Sequence, residues 1–271
     1  MNEHQTVLES IEPDVAEKLV TRRAALTRGL SFGSIAVTGL AFATVPLALA
    51  AFARSAGAQG APSIIAVLNF ALTLEYLEDE FYRTGLARPV AASLTSGERA
   101  AIEQISMHET AHVAFLQAAI RGSAATPVAK PTFDFTARGT FPDVFTNKAT
   151  FMAVAQTFED TGVRAYKGQA GAVASNPGVL TAALQIHSVE ARHAAQIRRL
   201  RGQKGWITNG DRGDLPAATQ ATYTGEENTT HNGVNAASLG TNFGGTAAVT
   251  EAFDEPLTMA QVLAIAGPFI A

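Results

Sequence analysis

The 271-residue chain has no cysteine and little net charge. The absence of cysteine excludes disulfide bonds and metal sites built on thiolate ligands. The formal net charge is −4, and it stays at −4 without residues 1–58, because five acidic and five basic side chains cancel there. A balance this even creates no strong field that would attract nucleic acid, so we expect no nucleic-acid partner.

The first 58 residues have the pattern of an export signal. Residues 21–26 (TRRAAL) form a twin-arginine motif, and residues 29–53 then give 25 positions without charge. Small residues at 56–58 predict a cleavage site before Gln59. We therefore expect export by the twin-arginine machinery to a periplasmic or extracellular location. A retained membrane anchor is the alternative, since an uncharged run of this length can span a bilayer.

Two copies of one pattern of metal-ligand residues occupy the region after the signal. Each copy has a glutamate, a tyrosine seven residues later and a Glu-x-x-His pair; the members are Glu75, Tyr82, Glu109 and His112 in the first copy and Glu159, Tyr166, Glu190 and His193 in the second. The lone glutamates are 84 residues apart and the Glu-x-x-His pairs are 81 apart. The spacing between the lone glutamate and the Glu-x-x-His pair is therefore nearly the same in the two copies.

The spacing within each copy indicates metal binding. Residues three apart lie on one face of a helix, so both side chains of a Glu-x-x-His pair can bind the same ion. Adding one carboxylate from each of two facing helices gives four glutamates and two histidines in a bundle core, which is a two-metal site. A single Glu-x-x-His pair is weak evidence for a metal site. Two such pairs, each with a matched Glu and Tyr, are strong evidence for one. Oxygen-rich ligation with one imidazole per metal suits iron or manganese.

The segments that carry these residues resemble the ferritin-like superfamily, and within it the ferritin-2 type related to desiccation-associated plant and bacterial proteins. The resemblance covers residues 68–82 (LNFALTLEYLEDEFY), 105–116 (ISMHETAHVAFL), 158–166 (FEDTGVRAY), 186–193 (IHSVEARH) and a tail segment at 252–263 (AFDEPLTMAQVL). It implies an all-α fold, a ferritin-like four-helix bundle with a long crossover between the second and third helices. It also implies metal ligation by Glu75, Glu109, His112, Glu159, Glu190 and His193.

The resemblance leaves the reaction open, because the superfamily includes ferroxidases, peroxidases, manganese catalases and members of unknown activity. Our first hypothesis is an exported protein with two metal ions, iron before manganese, that oxidises ferrous iron or reduces peroxide or oxygen. A dimanganese catalase is the competing enzyme. The non-catalytic alternative is a stress- or desiccation-related structural protein of the cell envelope with a stabilising metal site. The expected partners are a small oxidant, the export machinery and further copies of the chain in a homo-oligomer.

Two assignments at the site stay open. Glu75 and Glu78 lie one helical turn apart, and the equal spacing from Glu to Tyr in the two copies favours Glu75 as the ligand. Glu78 is the second choice. Tyr82 and Tyr166 are candidate catalytic residues, with a redox role or with hydrogen bonding and packing beside the ligands.

Three histidines lie outside the repeat. His108 and His187 precede their glutamates by one and three positions, so they share no register and are expected beside the site. His231 lies in a polar loop and is expected to be solvated.

Four long helices are predicted for the bundle, residues 59–202; their approximate bounds are Ser63 to Thr84, Ser96 to Arg121, 148 to 168 or 171, and Pro177 to Gly202. Gly85 and Pro89 are expected to end the first helix, and Ser96 to cap the second. Residues 123–146 are too long for a hairpin turn and form the crossover.

The remaining residues, 203–271, are predicted to form a loop-rich extension that is either wrapped on the bundle or partly mobile. Its composition shifts to Gly, Asn and Thr with little helical periodicity. A short helix is expected from Thr258 to Ala266. Asp254 and Glu255 are expected to serve the N-terminal turn of that helix rather than a metal.

Overall fold

A computed structural model describes residues 62–271, so the predicted signal at 1–58 lies outside the described residues. Within this part the α-helices are α1 Ile64–Ala87, α2 Ser96–Gly122, α3 Lys148–Gln169, α4 Pro177–Leu200, α5 Gly245–Thr250 and α6 Met259–Ala266. Short 3-10 helices are Pro89–Ser93, Ala170–Val173, Ala217–Thr222, Ala236–Ser238, Gly240–Asn242 and Gly267–Phe269. Two strands, β1 Thr230–His231 and β2 Val234–Asn235, pair antiparallel. The all-α class is confirmed.

No helix between residues 62 and 271 combines the length and the apolar character needed to cross a membrane.

The helices begin where polar side chains satisfy their first N–H groups. Thr95 and Glu98 form a capping box at the start of α2, so the prediction of Ser96 as the cap is wrong by one residue. Asn176 caps α4 and Pro177 follows at its first position, as the sequence predicts. The prediction that Gly85 helps to end α1 is also wrong, because α1 continues to Ala87, whereas Pro89 does follow the end of the helix as predicted. A Cβ at Gly85 would lie 2.3 Å from the Phe151 ring, so this glycine serves close packing rather than termination.

The four long helices pack as two antiparallel pairs, α1 with α2 and α3 with α4. Helix α1 also packs on α3, and Glu75 contacts Tyr166 while Tyr82 contacts Glu159. These contacts occur in opposite order along the two helices, so α1 and α3 are antiparallel. Helices α2 and α3 consequently run in the same direction, and residues 123–147 must return over the length of the bundle. This agrees with the predicted long crossover.

The aromatic residues of the crossover belong to the core. Phe81 of α1 stacks on Phe151 at 4.9 Å between ring centroids and meets Phe158 edge-on at 5.1 Å. From the crossover, Phe135 and Phe145 approach the same ring at 5.5 and 5.7 Å. A connection with this much aromatic surface covers the ends of α1 and α3 and excludes water from them.

The extension is wrapped on the bundle, which decides between the two predicted alternatives. Arg164 of α3 is 1% exposed and forms an ion pair with Glu226 at 2.7 Å. Its guanidinium also donates to the backbone oxygens of Thr222, Thr224 and Glu255. Helix α3 is therefore buried on the face that looks away from the bundle as well as on the face that looks inward.

Two predictions for the extension are wrong. Thr258 caps α6 with its own side chain, and the first turn of α6 contains no acidic residue, so Asp254 and Glu255 do not serve that turn. His231 is not solvated, because its ring stacks on Phe253 at 3.7 Å and its Nδ1 lies 3.4 Å from Glu255 Oε1. Both errors arise because residues distant in sequence hold these segments, Arg164 and Glu226 at Glu255 and Phe253 at His231.

We predict that Arg164→Met lowers the free energy of unfolding by about 3–5 kcal/mol, because it leaves Glu226 buried without its cation. Urea denaturation followed by the fluorescence of Trp206, the single tryptophan of the chain, measures this loss. The matched control is Arg99→Met, which breaks an exposed pair with Glu103 and should cost under about 1 kcal/mol. Equal losses in the two variants would contradict the assigned role of Arg164.

Candidate metal centre

The structure brings the six side chains of the repeat together at the centre of the bundle; Glu75 comes from α1, Glu109 and His112 from α2, Glu159 from α3, and Glu190 and His193 from α4. All four carboxylates are 0% exposed. The side chains of His112 and His193 keep 12% and 5% exposure. The imidazoles thus form the side of the centre that lies nearest to solvent.

Three carboxylates surround the imidazole of His112. Its Nδ1 lies 3.2 Å from Glu75 Oε2, 3.1 Å from Glu109 Oε2 and 3.1 Å from Glu190 Oε1. The ligand atoms of these four residues lie within 4.8 Å of one another. Three carboxylate oxygens and one imidazole nitrogen therefore converge on one position.

A second group of the same composition lies beside the first. The Nδ1 of His193 lies 2.8 Å from Glu109 Oε1, 3.4 Å from Glu159 Oε2 and 3.2 Å from Glu190 Oε2. Glu109 and Glu190 therefore contribute one oxygen to each group, whereas Glu75 and Glu159 belong to one group each. This is the arrangement in which two carboxylates can bridge a pair of cations.

Several oxygens of the centre lack a hydrogen-bond partner within the described residues, namely Glu109 Oε1, Glu159 Oε2 and Glu190 Oε1. Buried polar atoms without partners cost free energy and call for an explanation. All three face an imidazole Nδ1 at ion-pair distance, so they point to the positions where the two groups converge. The donor set, oxygen-rich with one nitrogen per position, suits iron or manganese. The residues present fit a pair of metal ions.

Each tyrosine of the repeat contacts the glutamate of the other copy. The Tyr82 hydroxyl donates to Glu159 Oε1 at 2.5 Å, and the Tyr166 hydroxyl donates to Glu75 Oε1. Burial, followed by the charge of the bonded carboxylate, raises the pKa of both phenols well above the usual value. The tyrosines are therefore protonated donors that fix the two unshared carboxylates. This exchange of partners follows from the sequence, because Glu and Tyr have the same seven-residue spacing on both helices and the two helices are antiparallel.

The imidazoles balance much of the negative charge. Burial opposes protonation of His112, but hydrogen bonds to the facing carboxylates outweigh it and raise its pKa to about 12. Burial would lower the pKa of His193, but the charge of Glu159 and the hydrogen bonds of His193 to the carboxylates outweigh burial and raise it. Burial alone would raise the pKa of Glu190, yet the contacts of both imidazoles with its two oxygens lower it to about 2. The carboxylates of the centre thus favour positive charge at both imidazoles.

Glu78 is buried near the centre but belongs to neither group. Burial, followed by the charges of Glu159 and Glu190, raises its pKa well above the usual value. Gly162 makes room for this side chain, because a Cβ there would lie 3.3 Å from Glu78 Oε1. Sequence patterns did not single out Gly162. The geometry places Glu75 among the converging residues and Glu78 behind them.

His108 lies beside the centre, as expected, and contacts one imidazole only. Its Nδ1 lies 2.9 Å from His193 Nε2, and the two rings stack at 5.2 Å between centroids. Its Nε2 lies 2.7 Å from the amide nitrogen of Gln104. The described residues show no equivalent contact on Nε2 of His112. His187 is half-buried and belongs to neither group. The two candidate metal positions therefore have the same kinds of ligand, but only the imidazole of His193 has a histidine in contact with its Nε2.

The chain is similar to a known protein family. The Ferritin_2 family model, described as a ferritin-like domain, matches residues 63–203, which is more than half of the chain. The matched range contains all six converging side chains and both tyrosines. No curated protein matches the chain.

We predict that Tyr82→Phe and Tyr166→Phe each lower the free energy of unfolding by about 1–3 kcal/mol, because each leaves a buried carboxylate oxygen without its donor. The losses should be similar, since the two contacts are equivalent. Urea denaturation in the presence of a chelator measures both. Tyr76→Phe is the control and should cost less, because the Tyr76 hydroxyl donates to the Val128 carbonyl and accepts from Gln117 but contacts no carboxylate. Full stability in either site variant would contradict the assigned contacts.

Proposed function

The chain belongs to the ferritin-like domain family, and we propose that its buried centre holds two metal ions and uses them to oxidise ferrous iron or to reduce peroxide or oxygen. The observation that carries the proposal is the sharing of Glu109 and Glu190 by two adjacent groups of identical composition. A structural need for negative charge would not require this duplication. Two adjacent redox ions, each giving one electron, can together supply the two electrons that the reduction of one peroxide needs.

Each proposed metal position has its own ligands. The first ion would be bound by Glu75 and His112, and the second by Glu159 and His193. The shared glutamates, Glu109 and Glu190, would bind both ions. When bound, a pair of ferrous ions supplies two electrons, so that one peroxide and two protons become two waters while both ions become ferric. Iron is our first assignment, and manganese is the alternative that the same donor set accepts.

The protein itself supplies enclosure and orientation. Complete burial of the four carboxylates excludes bulk water and strengthens every charge interaction at the centre. Tyr82 and Tyr166 hold Glu159 and Glu75 by hydrogen bonds and so fix the direction of their free oxygens. We expect a small oxidant to approach from the side of His112, because it is the most exposed of the six side chains. We assign the tyrosines this orienting role and propose them as candidate redox residues.

We also propose that the protein works outside the cytoplasm. The support is the twin-arginine motif followed by an uncharged run within residues 1–58. Export by this route moves folded proteins, which suits a centre that acquires its metals before crossing the membrane. The alternative is that residues 29–53 stay in place as a membrane anchor instead of being removed with the signal.

A non-catalytic function is the second candidate, and the enclosure of the centre favours it. Four carboxylates with no exposure would be strongly destabilising without cations, so bound metals would stabilise the bundle whether or not they react. In this alternative the protein is a stress- or desiccation-related structural component of the envelope.

We predict that the purified protein binds two ferrous ions per chain and oxidises them with peroxide or oxygen. The double substitution Glu109→Ala/Glu190→Ala should abolish both properties, because it removes the carboxylates common to both positions. Elemental analysis and the absorbance of ferric iron give the two measurements. Glu80→Ala is the control, since Glu80 lies on the surface of α1 and pairs with Lys130. Equal oxidation rates in the double variant and the control would refute the ferroxidase assignment.

The alternatives give different results in the same preparation. Peroxide dismutation by protein loaded with manganese but not iron would establish the catalase. A melting temperature that falls on chelation, with no turnover of oxygen or peroxide, would establish the structural function.

We predict that His108→Leu weakens metal binding about 10- to 100-fold at one position only, because it removes the contact that orients His193. Titration with cobalt, followed by absorbance, should change from two similar binding steps to two separated ones. His187→Leu is the matched control, since His187 belongs to neither group. Equal weakening of both steps, or of neither, would contradict the assigned support.

A further inference from the structure

Glu78 has a buried carboxyl group for which the fold provides no partner. The residue is 4% exposed, and its side-chain oxygens have no hydrogen bond or ion pair among the described residues. The two lone glutamates of the repeat differ in this respect, because Tyr166 donates to Glu75 and Tyr82 donates to Glu159. A buried carboxyl group without a partner costs free energy and calls for an explanation.

The internal repeat shows that this carboxyl group is an addition to one copy only. Glu78 follows Glu75 by three residues, and the corresponding residue after Glu159 is Gly162. A Cβ on Gly162 would lie 3.3 Å from Glu78 Oε1 and 3.9 Å from Glu190 Cγ. Glu78 and Glu190 are therefore neighbours across the space that Gly162 leaves. The second copy omits a side chain where the first copy places a carboxyl group.

A small cavity on the outer side of Glu78 does not supply the missing partner. The cavity lies between α1, α3 and α6 and has a volume of about 10 Å³, which is room for about one water molecule. Thr161 is the other polar side chain in its lining, and its hydroxyl already bonds to Thr157 and Thr222. Because a buried water needs two to four polar partners, water is poorly held in this cavity.

The inner side of Glu78 faces the metal centre. After burial, the charges of Glu159 and Glu190 contribute most to raising the pKa of Glu78. Charge interactions weaken with distance, and both of these glutamates belong to the group of His193. That group offers four ligand atoms, which leaves positions open on an iron or manganese ion for further oxygen ligands.

We propose that Glu78 is a seventh ligand of the centre and binds the second ion, the one that Glu159 and His193 would also bind. The inference rests on the proposed function, because it requires the two bound ions. Glu75 and Glu78 then both bind metal, each at a different position, instead of being alternatives. The missing side chain at Gly162 leaves the space in which Glu78 turns toward the ion.

A ligand has opposite effects on the protein with and without metal. Without ions, Glu78 adds a fifth carboxyl group to a core that already contains four fully buried ones. With ions, it adds a bond to one of them. Replacement of Glu78 should therefore reduce the stabilisation by bound metal without destabilising the metal-free protein. A side chain that only fills space would affect both states alike.

Titration of the metal-free, full-length chain with cobalt tests the proposal through visible absorbance and melting temperature. Glu78→Gln keeps the size of the side chain and removes its charge. It should weaken one of the two binding steps at least about tenfold and change the absorbance of that ion. Cobalt should raise the melting temperature of this variant less than that of the wild type, while in chelator the variant melts no lower.

Two further variants define the position. Glu80→Gln is the matched control, because Glu80 lies on the same helix but pairs with Lys130 at the surface, and it should change neither binding step. In Glu78→Gln/His108→Leu the same step should weaken further, since both residues act at the His193 position. Weakening of both steps in this double variant would overturn the assignment to the second ion.

The outcomes separate this inference from the proposed function. A wild type that binds two cobalt ions, with Glu78→Gln equal to it in both steps and in absorbance, would overturn the inference and leave the two-ion centre intact. A wild type that binds no cobalt would overturn both. A variant that melts lower in chelator, with an unchanged gain from cobalt, would assign Glu78 to packing alone. Circular dichroism verifies that each variant is folded.

Discussion

Four carboxylates with no solvent exposure lie side by side in one helical core, and this concentration of negative charge is the constraint on which the rest of the structure depends. An isolated buried carboxylate costs several kcal/mol unless a cation or several donors compensate for it. The chain supplies two imidazoles, from His112 and His193, whose pKa values the carboxylates raise, and two phenol donors, from Tyr82 and Tyr166. Three of the carboxylate oxygens that face the imidazoles still have no hydrogen-bond partner among the described residues. That deficit is the physical reason for assigning cations to the centre.

The duplication explains how so many donors and acceptors meet without conflict. Because α1 and α3 are antiparallel and carry the same seven-residue spacing, the phenol of each helix meets the carboxylate of the other. Helices α2 and α4 repeat this relation through their Glu-x-x-His pairs. One local pattern, used twice, therefore generates a two-fold arrangement. His108 breaks the symmetry, since it supports only His193.

The parts of the fold that sequence reasoning reached are those with a local or repeated pattern. The Asn176–Pro177 start of α4 and the six converging side chains are of this kind. Contacts between distant segments have no such pattern, and there the predictions failed. His231 sits in a polar stretch yet packs on Phe253. Gly85 looks like a helix end, but it is there because the Phe151 ring needs the space. In each case a neighbour remote in sequence decided the outcome.

Helix α2 carries ligands of the centre and also supports a ligand of another helix. Its inner face places Glu109 and His112 three residues apart toward the centre. On the same helix, His108 contacts His193 of α4. At the corresponding position of the second copy, 81 residues later, the chain has Val189, whose side chain has no polar atom for such a contact. The repeated pattern therefore accounts for the ligands, whereas the difference between the two positions comes from a residue that only one copy contains.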